Sequence, residues 1–280
     1  MRRTCCLCTV GQVVHTLPEG KPVRGVTLLG DELYVLRQKE RDQVEVYDVT
    51  NYHLQRCLTI PSTHRFTDMT SCENYVYVAN YTESYMYGLY ADEQGAGTWW
   101  CIKDKPVGLS VNAAHNLLVT CDAVRKIKQF NLHGDFLRAM TLPDDVINPR
   151  HAIELKNFQF VVCHGFCGDA VHRVCKISAD GHHIVQSHGG QPGSDIGHYD
   201  VPRHLAADNN EFVFVADVHN QRVTLLSPTL DYVGQVVSRD DVKWSPSRLY
   251  LDTQRHRLYV TDNENVNGKY TAGRVVVFSV

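Results

Sequence analysis

The chain has 280 residues, of which 43% are hydrophobic and 21% charged, and its formal net charge is −3 with histidines neutral. This composition is ordinary for a globular protein, and the acidic balance excludes attraction of nucleic acid or anionic membrane by bulk charge. No apolar run approaches the roughly 18 residues of a transmembrane helix. The sequence therefore predicts a protein without a membrane or DNA partner, and leaves room only for a local charged patch.

The N-terminal segment does not look like a secretion signal. Residues 1–17 begin with two arginines, but Thr4, Gln12 and His15 interrupt any apolar signal core. The chain contains ten cysteines, and most stand singly among apolar residues: Cys57, Cys72, Cys101, Cys121 and Cys175. Free cysteine packs as a small apolar side chain, and a chain of this size needs no disulfide framework. These features predict free thiols and a cytoplasmic location.

A segment of similar pattern recurs six times along the chain. The six copies begin at Pro22, His64, Pro106, Pro149, Pro202 and Pro246, in steps of 42, 42, 43, 53 and 44 residues. Each copy is followed by a second apolar strand, predicted at 32–37, 75–80, 117–122, 160–165, 212–217 and 257–262. A period of this length is typical of a unit of four short strands with their turns.

The last unit ends after its third strand at Val280, and its fourth strand is predicted at the other end of the chain. Residues 8–17, CTVGQVVHTL, are similar to YVGQVVS in the fifth unit. Such a strand joins the two ends of a ring and removes open sheet edges. The sequence thus predicts an all-β, six-bladed β-propeller of four-stranded antiparallel blades in one domain over 1–280. The predicted blades cover about 18–60, 61–104, 105–143, 144–190, 198–240 and 241–280.

The fifth unit carries the most specific pattern. Spaced glycines, an aromatic residue, a proline, and a strand that ends in aspartate precede an Asn-x-Arg turn: Gly189, Gly190, Gly193, Gly197, Tyr199, Pro202, Asp208, Asp217, Asn220 and Arg222. This pattern resembles the NHL repeat, and the whole chain is similar to the C-terminal propeller of tripartite-motif (TRIM-NHL) proteins. The resemblance implies a non-enzymatic scaffold that binds protein or RNA, and a part in recruiting substrates for a ubiquitin ligase. Asp217 and Arg222 are expected to form a surface ion pair across a turn, worth about 0–1 kcal/mol.

Cationic side chains recur where the innermost strands begin. In a propeller these positions surround one mouth of the central channel, and five of the six units place such residues there: Arg24, His64, Arg65, Arg150, His151, Arg203, His204 and Arg248. Clustered cations repel one another, so an acidic peptide, a phosphate or a nucleic-acid backbone would relieve their repulsion. The alternative is that each side chain caps a loop or bonds a carbonyl. The sequence predicts that this set binds the partner.

Protein and single-stranded RNA remain alternative partners. Phe66, Phe166 and Tyr199 are expected near the same face, where aromatic rings could stack on bases. A basic turn at Arg125, Lys126 and Lys128 would extend the surface, unless it is only solvated.

An enzymatic alternative rests on His64, His151 and His204. Three imidazoles with an open fourth position suit catalytic zinc, and the peptide-amidating lyases are NHL-type propellers with a channel metal. The neighbouring arginines would repel a dication, and Asp68 and Glu154 are too few acidic ligands for a lactonase-like site. The sequence therefore predicts no cofactor, with a zinc-dependent lyase or hydrolase as the alternative.

Two further groups of residues could carry chemistry. A zinc cluster is conceivable at Cys163, His164, Cys167, His172 and Cys175, although strands would separate its ends. The stretch PRHLAADNNEFVFVADVHNQRV at 202–223 raises the question of a site formed by Arg203, His204, Asp217 and His219. The repeat phase assigns Asp217 to the framework and restricts the functional prediction to Arg203 and His204.

Overall fold

The computed structural model describes residues 11–38, 43–60, 66–91 and 97–280. Within those ranges the chain forms 24 β-strands and no helix, so nothing described there could cross a bilayer as a helix. The first twelve strands are β1 (Gln12–Thr16), β2 (Val23–Leu29), β3 (Glu32–Arg37), β4 (Gln43–Asp48), β5 (Leu54–Thr59), β6 (Phe66–Cys72), β7 (Tyr75–Asn80), β8 (Tyr85–Tyr90), β9 (Gly97–Cys101), β10 (Pro106–Val111), β11 (Leu117–Cys121) and β12 (Lys126–Phe130). The remaining strands are β13 (Phe136–Thr141), β14 (Pro149–Glu154), β15 (Phe160–His164), β16 (His172–Ile177), β17 (Ile184–Gly190), β18 (Pro202–Ala207), β19 (Val213–Asp217), β20 (Arg222–Leu226), β21 (Tyr232–Val237), β22 (Ser245–Asp252), β23 (Arg257–Val266) and β24 (Lys269–Ser279).

The strands form six antiparallel sheets of four, which confirms the predicted six-bladed propeller. Blades 1 to 5 each use four consecutive strands, beginning with β2, β6, β10, β14 and β18. Blade 6 has the order β1-β24-β23-β22, so the N-terminal strand completes the last sheet as the sequence predicts. Gln12 pairs with Ser279 and Thr16 with Val276 in that closing ladder. The predicted closing segment 8–17 begins outside the described residues.

The hydrophobic core lies between neighbouring blades. The inner three strands of each blade are buried on both faces, whereas the outer strands alternate or are exposed, as in β13. One cluster joins Tyr34, Val44 and Val46 of blade 1 to Met69 and Val78 of blade 2, and five similar clusters follow around the ring. Because each blade packs against two others, the ring folds as one body of stacked sheets.

Each innermost strand contains a β-bulge near its start, after its first residue in blades 1 to 5 and after its second residue in blade 6. In blade 5, Pro202 pairs with Asp217 and His204 with Ala216, so Arg203 is the extra residue. The bulge recurs in all six blades, and the residues that follow it are Gly25, Asp68, Gly108, His151, His204 and Arg248. The structural equivalent of His151 in blade 2 is therefore Asp68. The alignment that set His64 against Pro149, and so near the position of His151, is wrong in register, because the first strand of blade 2 begins at Phe66.

The Asp217–Arg222 pair is buried, which corrects the prediction of a surface pair. The Asp217 side chain is fully buried and accepts hydrogen bonds from Arg222 Nε at 2.8 Å and Asn220 Nδ2 at 2.8 Å. The other Arg222 nitrogens donate to the carbonyls of Ser194 and His198. The glycine-containing segment before β18 is thus tied to the blade and is not the flexible loop that its composition suggests.

Blade 6 carries a long hairpin that the other blades lack. Strands β23 and β24 have 10 and 11 residues and run past the sheet to a tight turn at Asn267 and Gly268. Both turn residues have positive φ, 51° and 78°, which is the backbone that a two-residue type I′ hairpin turn requires and that Asn-Gly favours. Asn265 and Tyr270 pair near the tip, and the hairpin extends over the channel mouth.

Candidate functional site

Four side chains fill the central channel beneath the mouth, and we call this group the channel plug: Asp68, His151, His204 and Arg248. All four follow the bulge on their innermost strand and are buried. Arg248 Nε lies 3.0 Å from Asp68 Oδ1, and His204 Nε2 lies 3.4 Å from Asp68 Oδ2. The two imidazole rings stack with centroids 3.7 Å apart. Residues from blades 2, 4, 5 and 6 therefore meet at the channel axis.

In blades 1 and 3 the residue after the bulge is a glycine, which makes room for the plug. A Cβ on Gly25 would lie 2.5 Å from Met69 Cγ, and one on Gly108 would lie 2.5 Å from the Arg150 carbonyl oxygen. Arg248 donates hydrogen bonds to the carbonyls of Ser247 and Thr67, and thus reaches blade 2 past the glycine of blade 1. Only glycine permits this close approach of backbone and side chain at both positions.

The plug also satisfies backbone groups of the neighbouring blades. The Leu109 amide donates to Asp68 Oδ2 at 2.8 Å, and the Leu205 amide donates to His151 Nδ1 at 3.3 Å. The Leu249 amide donates in the same way to His204 Nδ1 at 3.3 Å. These contacts link blade 2 to blade 3, blade 4 to blade 5 and blade 5 to blade 6, and buried amides left without such partners would cost free energy.

The surroundings fix the charge of each plug residue. Burial lowers the pKa of His151 to about 3, with a further contribution from His204, and burial also lowers the pKa of His204. Burial raises the pKa of Asp68, but Arg248 and the two histidines outweigh it, so its pKa is well below the usual range. Asp68 is consequently a carboxylate paired with the Arg248 guanidinium, and both imidazoles are neutral.

The histidines and Asp68 form the one compact group of metal-ligand types among the described residues, with ligand atoms within 4.8 Å of one another. These atoms are nevertheless engaged. His151 accepts at Nδ1 from Leu205 and, in the neutral tautomer, donates from Nε2 to the Leu109 carbonyl at 2.8 Å. Arg248 occupies the other side of Asp68 and would repel a dication. The donor set therefore suits a hydrogen-bonded plug better than a zinc site with an open position.

A cavity of about 360 Å³ lies at the channel mouth, and we call it the mouth cavity. Its polar and charged lining comes from bulge residues, from two loops and from the blade 6 hairpin: Arg24, Gln38, Arg150, Arg203, Cys167, His219, Asn265, Lys269 and Tyr270. Phe166, Val201, Val218 and Gly268 complete the wall, and among the described residues no aspartate or glutamate lines it. The cavity is thus cationic on a chain whose net charge is negative.

Two of the mouth arginines are incompletely satisfied. Arg150 is 3.3 Å from Asp122 and lies 4.9 Å above the Phe166 ring, and burial lowers its pKa to about 10, aided by Arg203. Arg203 lies 5.5 Å from the centre of the Tyr270 ring. The Nε atoms of both arginines are buried and have no hydrogen-bond acceptor among the described residues. Such donors favour an anionic ligand.

Tyr270 lies between two of these arginines. Its ring is 4.8 Å from the Arg24 guanidinium carbon and 5.5 Å from that of Arg203. Burial raises the pKa of Tyr270, but the guanidinium groups of Arg203, Arg248, Arg24 and Arg150 outweigh it, so the pKa falls below its ordinary value. The lowered pKa of the Tyr270 phenol therefore indicates a positive electrostatic potential in the mouth cavity.

The structure divides the residues predicted for partner binding into two groups. Arg24, Arg150 and Arg203 line the mouth cavity, whereas His151, His204 and Arg248 belong to the buried plug. His64 and Arg65 lie outside the described residues. The partner-binding prediction did not include Cys167, His219, Lys269 or Tyr270, and the sequence pointed to Cys167 and His219 only for other sites. The last unit has extra residues between its second and third predicted strands, and the other units have fewer there. This insertion could have indicated the hairpin that carries Tyr270.

The predictions that aromatic rings and a basic turn extend the binding surface are wrong. Phe66 and Tyr199 are 1% exposed and pack in the core, so they offer no stacking surface. The basic turn is neutralised, because Arg125 pairs with Asp144 and Lys128 with Asp104.

The cysteines and histidines considered for a zinc cluster do not converge on one point. Cys163 is buried against the His151 carbonyl, Cys175 contacts His164, and Cys167 faces His219. The described cysteines are free thiols.

Comparisons with known proteins agree on the fold alone. No family model and no curated protein matches the chain. Among solved structures, a streptogramin B lyase superposes with a TM-score of 0.64 at 9% identity, over 95% of this chain and 88% of that one. Virginiamycin B lyase from Staphylococcus aureus gives 0.62 at 9% identity, over 94% and 99%. A protein of unknown function from Bacteroides thetaiotaomicron gives 0.66 at 12% identity, over 95% and 72%. The chain thus shares a propeller fold with enzymes and with proteins of unknown function.

Proposed function

We propose that this propeller is an interaction scaffold whose mouth cavity binds an anionic group of a protein partner. The observation that carries the proposal is the composition of the cavity wall. Three arginines, Lys269 and His219 line it, and none of the described residues in the wall is a carboxylate. A carboxylate or phosphate from a partner would supply acceptors for the buried Nε atoms of Arg150 and Arg203.

A protein partner is favoured over single-stranded RNA by the state of the aromatic rings. Tyr270 lies between two arginines and Arg150 covers one face of the Phe166 ring, so little aromatic surface is left to stack on bases. The cavity is also compact, whereas binding of a single strand uses a groove that follows the backbone over several nucleotides. An acidic or phosphorylated segment requires only a recess with paired cations.

We extend this role to substrate recruitment for a ubiquitin ligase, on the resemblance of the fifth unit to the NHL repeat of TRIM-NHL proteins. The cytoplasm is the corresponding location. Buried thiols such as Cys121 and Cys163, packed as apolar side chains, support a reducing compartment. The metal-dependent lyase alternative is less well supported, because His151 and His204 are committed to the plug.

The binding proposal is tested with labelled peptides. We expect a fluorescein-labelled hexaglutamate peptide to bind, and an otherwise identical hexaglutamine peptide to bind much more weakly, in fluorescence anisotropy titrations. The Arg150→Gln/Arg203→Gln variant should lose about tenfold or more in affinity, because each lost charged hydrogen bond is worth about 1.5–3 kcal/mol. Anion binding should also raise the pKa of Tyr270, measured from phenolate absorbance and absent in Tyr270→Phe.

The control removes the same charge elsewhere. Arg239 is exposed outside the mouth cavity and Arg257 begins a strand on the opposite end of its blade, so Arg239→Gln/Arg257→Gln should bind the peptide as the wild type does. Equal losses in both double variants would overturn the mouth as the binding site. A labelled hexauridylate RNA that binds more tightly than hexaglutamate would overturn the choice of a protein partner.

A further inference from the structure

Three loops bring a thiol, an imidazole and a carboxylate together beside the mouth cavity, and the thiol and the imidazole line its wall. Cys167 lies between β15 and β16, His219 lies in the turn between β19 and β20, and Asp200 precedes β18. Cys167 Sγ is 3.8 Å from His219 Nε2, and His219 Nδ1 is 3.2 Å from Asp200 Oδ1. This is the order of nucleophile, base and orienting carboxylate found in unrelated cysteine and serine enzymes.

The hydrogen bonds around Asp200 leave its carboxylate available to accept from His219. A second imidazole, that of His172, approaches Asp200 Oδ1 at 3.5 Å, but its Nδ1 accepts from the Val201 amide at 3.1 Å. The hydrogen of the His172 ring is therefore on Nε2, which donates to the Phe166 carbonyl. Asp200 is thus the acceptor for the Nδ1–H of His219, and the Nε2 lone pair of His219 points to the thiol.

The loop that carries the thiol is held from several sides. Besides His172, the Asp169 amide donates to the Phe166 carbonyl at 2.9 Å, and the Phe166 amide donates to Asp169 Oδ2 at 2.6 Å. Gly165 turns the chain with a φ of 100°, where a Cβ would lie 2.4 Å from the Val171 carbonyl oxygen. Cys167 is therefore exposed at the tip of a fixed loop.

We propose that Cys167 is the nucleophile of an acyl-transfer site, with His219 as its base and Asp200 as the residue that positions His219. Its acyl donor is a thioester or ester that carries a negative charge near the reacting carbonyl. The nucleophile is inferred from the three-residue geometry alone. The charge of the donor rests on the anion-binding function proposed above, because Arg150, Arg203 and Cys167 line the same cavity.

The proposed step is balanced without a further reactant. The Cys167 proton moves to His219 Nε2 as sulfur bonds to the carbonyl carbon, and the thiol or alcohol leaves with that proton. The products are an acylated Cys167 and the free thiol or alcohol. Water can then release the acyl group as a carboxylic acid, giving one proton to His219 as it attacks, and Cys167 recovers that proton as it leaves.

The test uses two acyl donors that differ only in charge. The probes are the 4-carboxybenzoyl and 4-carbamoylbenzoyl thioesters of N-acetylcysteamine, and acylation of each cysteine is followed by peptide mass spectrometry. Cys57 and Cys101 are exposed on outer strands and serve as internal controls. Cys167 should react about 100-fold faster than either, because a positioned base accelerates proton removal by this order. The carboxylate probe should be preferred about tenfold at Cys167 only.

Variants separate the parts of the proposal. His219→Gln should reduce acylation of Cys167 to the rate of the control cysteines, and Asp200→Asn should weaken it while Asp200→Glu partly restores it. Cys167 rates that equal those of Cys57 and Cys101, or that survive His219→Gln, overturn the acyl-transfer site. Fast acylation without preference for the carboxylate overturns the choice of donor. Hexaglutamate binding is measured by anisotropy on the same wild-type protein, so failure of the chemistry and failure of anion binding are distinguishable.

Discussion

At the scale of single residues, Asp68 is the acceptor on which the channel plug depends. It accepts from two backbone amides, those of Met69 and Leu109, and is paired with the buried Arg248. A neutral residue at this position would leave the guanidinium buried without a counter-charge. Removal of one partner from such a pair costs far more than removal of both.

We therefore expect Asp68→Asn to lower the free energy of unfolding by about 3–5 kcal/mol. Asp68→Asn/Arg248→Met should recover much of this loss, because it removes the uncompensated charge as well. Urea denaturation followed by tryptophan fluorescence measures both. A double variant less stable than Asp68→Asn alone would show that Arg248 stabilises the ring through its carbonyl contacts and not through the ion pair.

At the scale of elements, Arg222 joins the third strand of blade 5 to the segment that precedes the innermost strand of the same blade. Its guanidinium connects β20 to the carbonyls of Ser194 and His198, while Asn220 binds the Gly193 carbonyl. Without these hydrogen bonds, this glycine-containing segment would have few contacts to keep it ordered. The buried pair with Asp217 therefore orders a loop at the mouth face.

Arg222→Ala should cost about 3–5 kcal/mol and increase hydrogen exchange in residues 191–198. The matched control is Glu19→Ala, which breaks the ion pair with Lys243 where both side chains are 49% exposed. That control should cost no more than about 1 kcal/mol. If both variants lose similar stability, the Asp217–Arg222 pair behaves as a surface pair after all.

The sequence predicted elements well where a pattern repeats, and poorly where a site depends on single loops. The 42 to 44-residue phase and the similarity of CTVGQVVHTL to YVGQVVS were enough for the blades and the closing strand. The bulge was not visible, since it depends on ladder register, and so His64 was matched to a position that Asp68 holds. Cys167, His219 and Asp200 come from three loops whose meeting depends on how blades 4 and 5 pack.

At the scale of the whole molecule, neutral buried histidines couple the stability of the ring to pH. Burial, with His204, lowers the pKa of His151 to about 3, and burial, with Arg173, lowers that of His164 to about 4. Both start near 6.5 in an unfolded chain. Between these values the unfolded chain binds more protons than the folded one, so stability rises with pH.

The full contribution is thus present above about pH 6.5 and is lost as the pH falls toward 4 and then 3. We expect the free energy of unfolding to fall by a few kcal/mol between pH 7 and pH 4.5. His151→Gln should flatten this dependence while lowering stability at pH 7, whereas His133→Gln, at an exposed position, should leave the slope unchanged. A slope that His151→Gln does not alter would assign the acid sensitivity to other groups.

The channel plug also determines how anything can enter and leave the mouth. With Asp68, His151, His204 and Arg248 packed across the axis, the ring has no open bore, and the two faces of the disc do not communicate through its centre. The mouth cavity is therefore closed at its inner end by the channel plug. A polypeptide cannot thread through it, so what it admits is a chain end or a single protruding side chain, and the occupant must leave by the route it came.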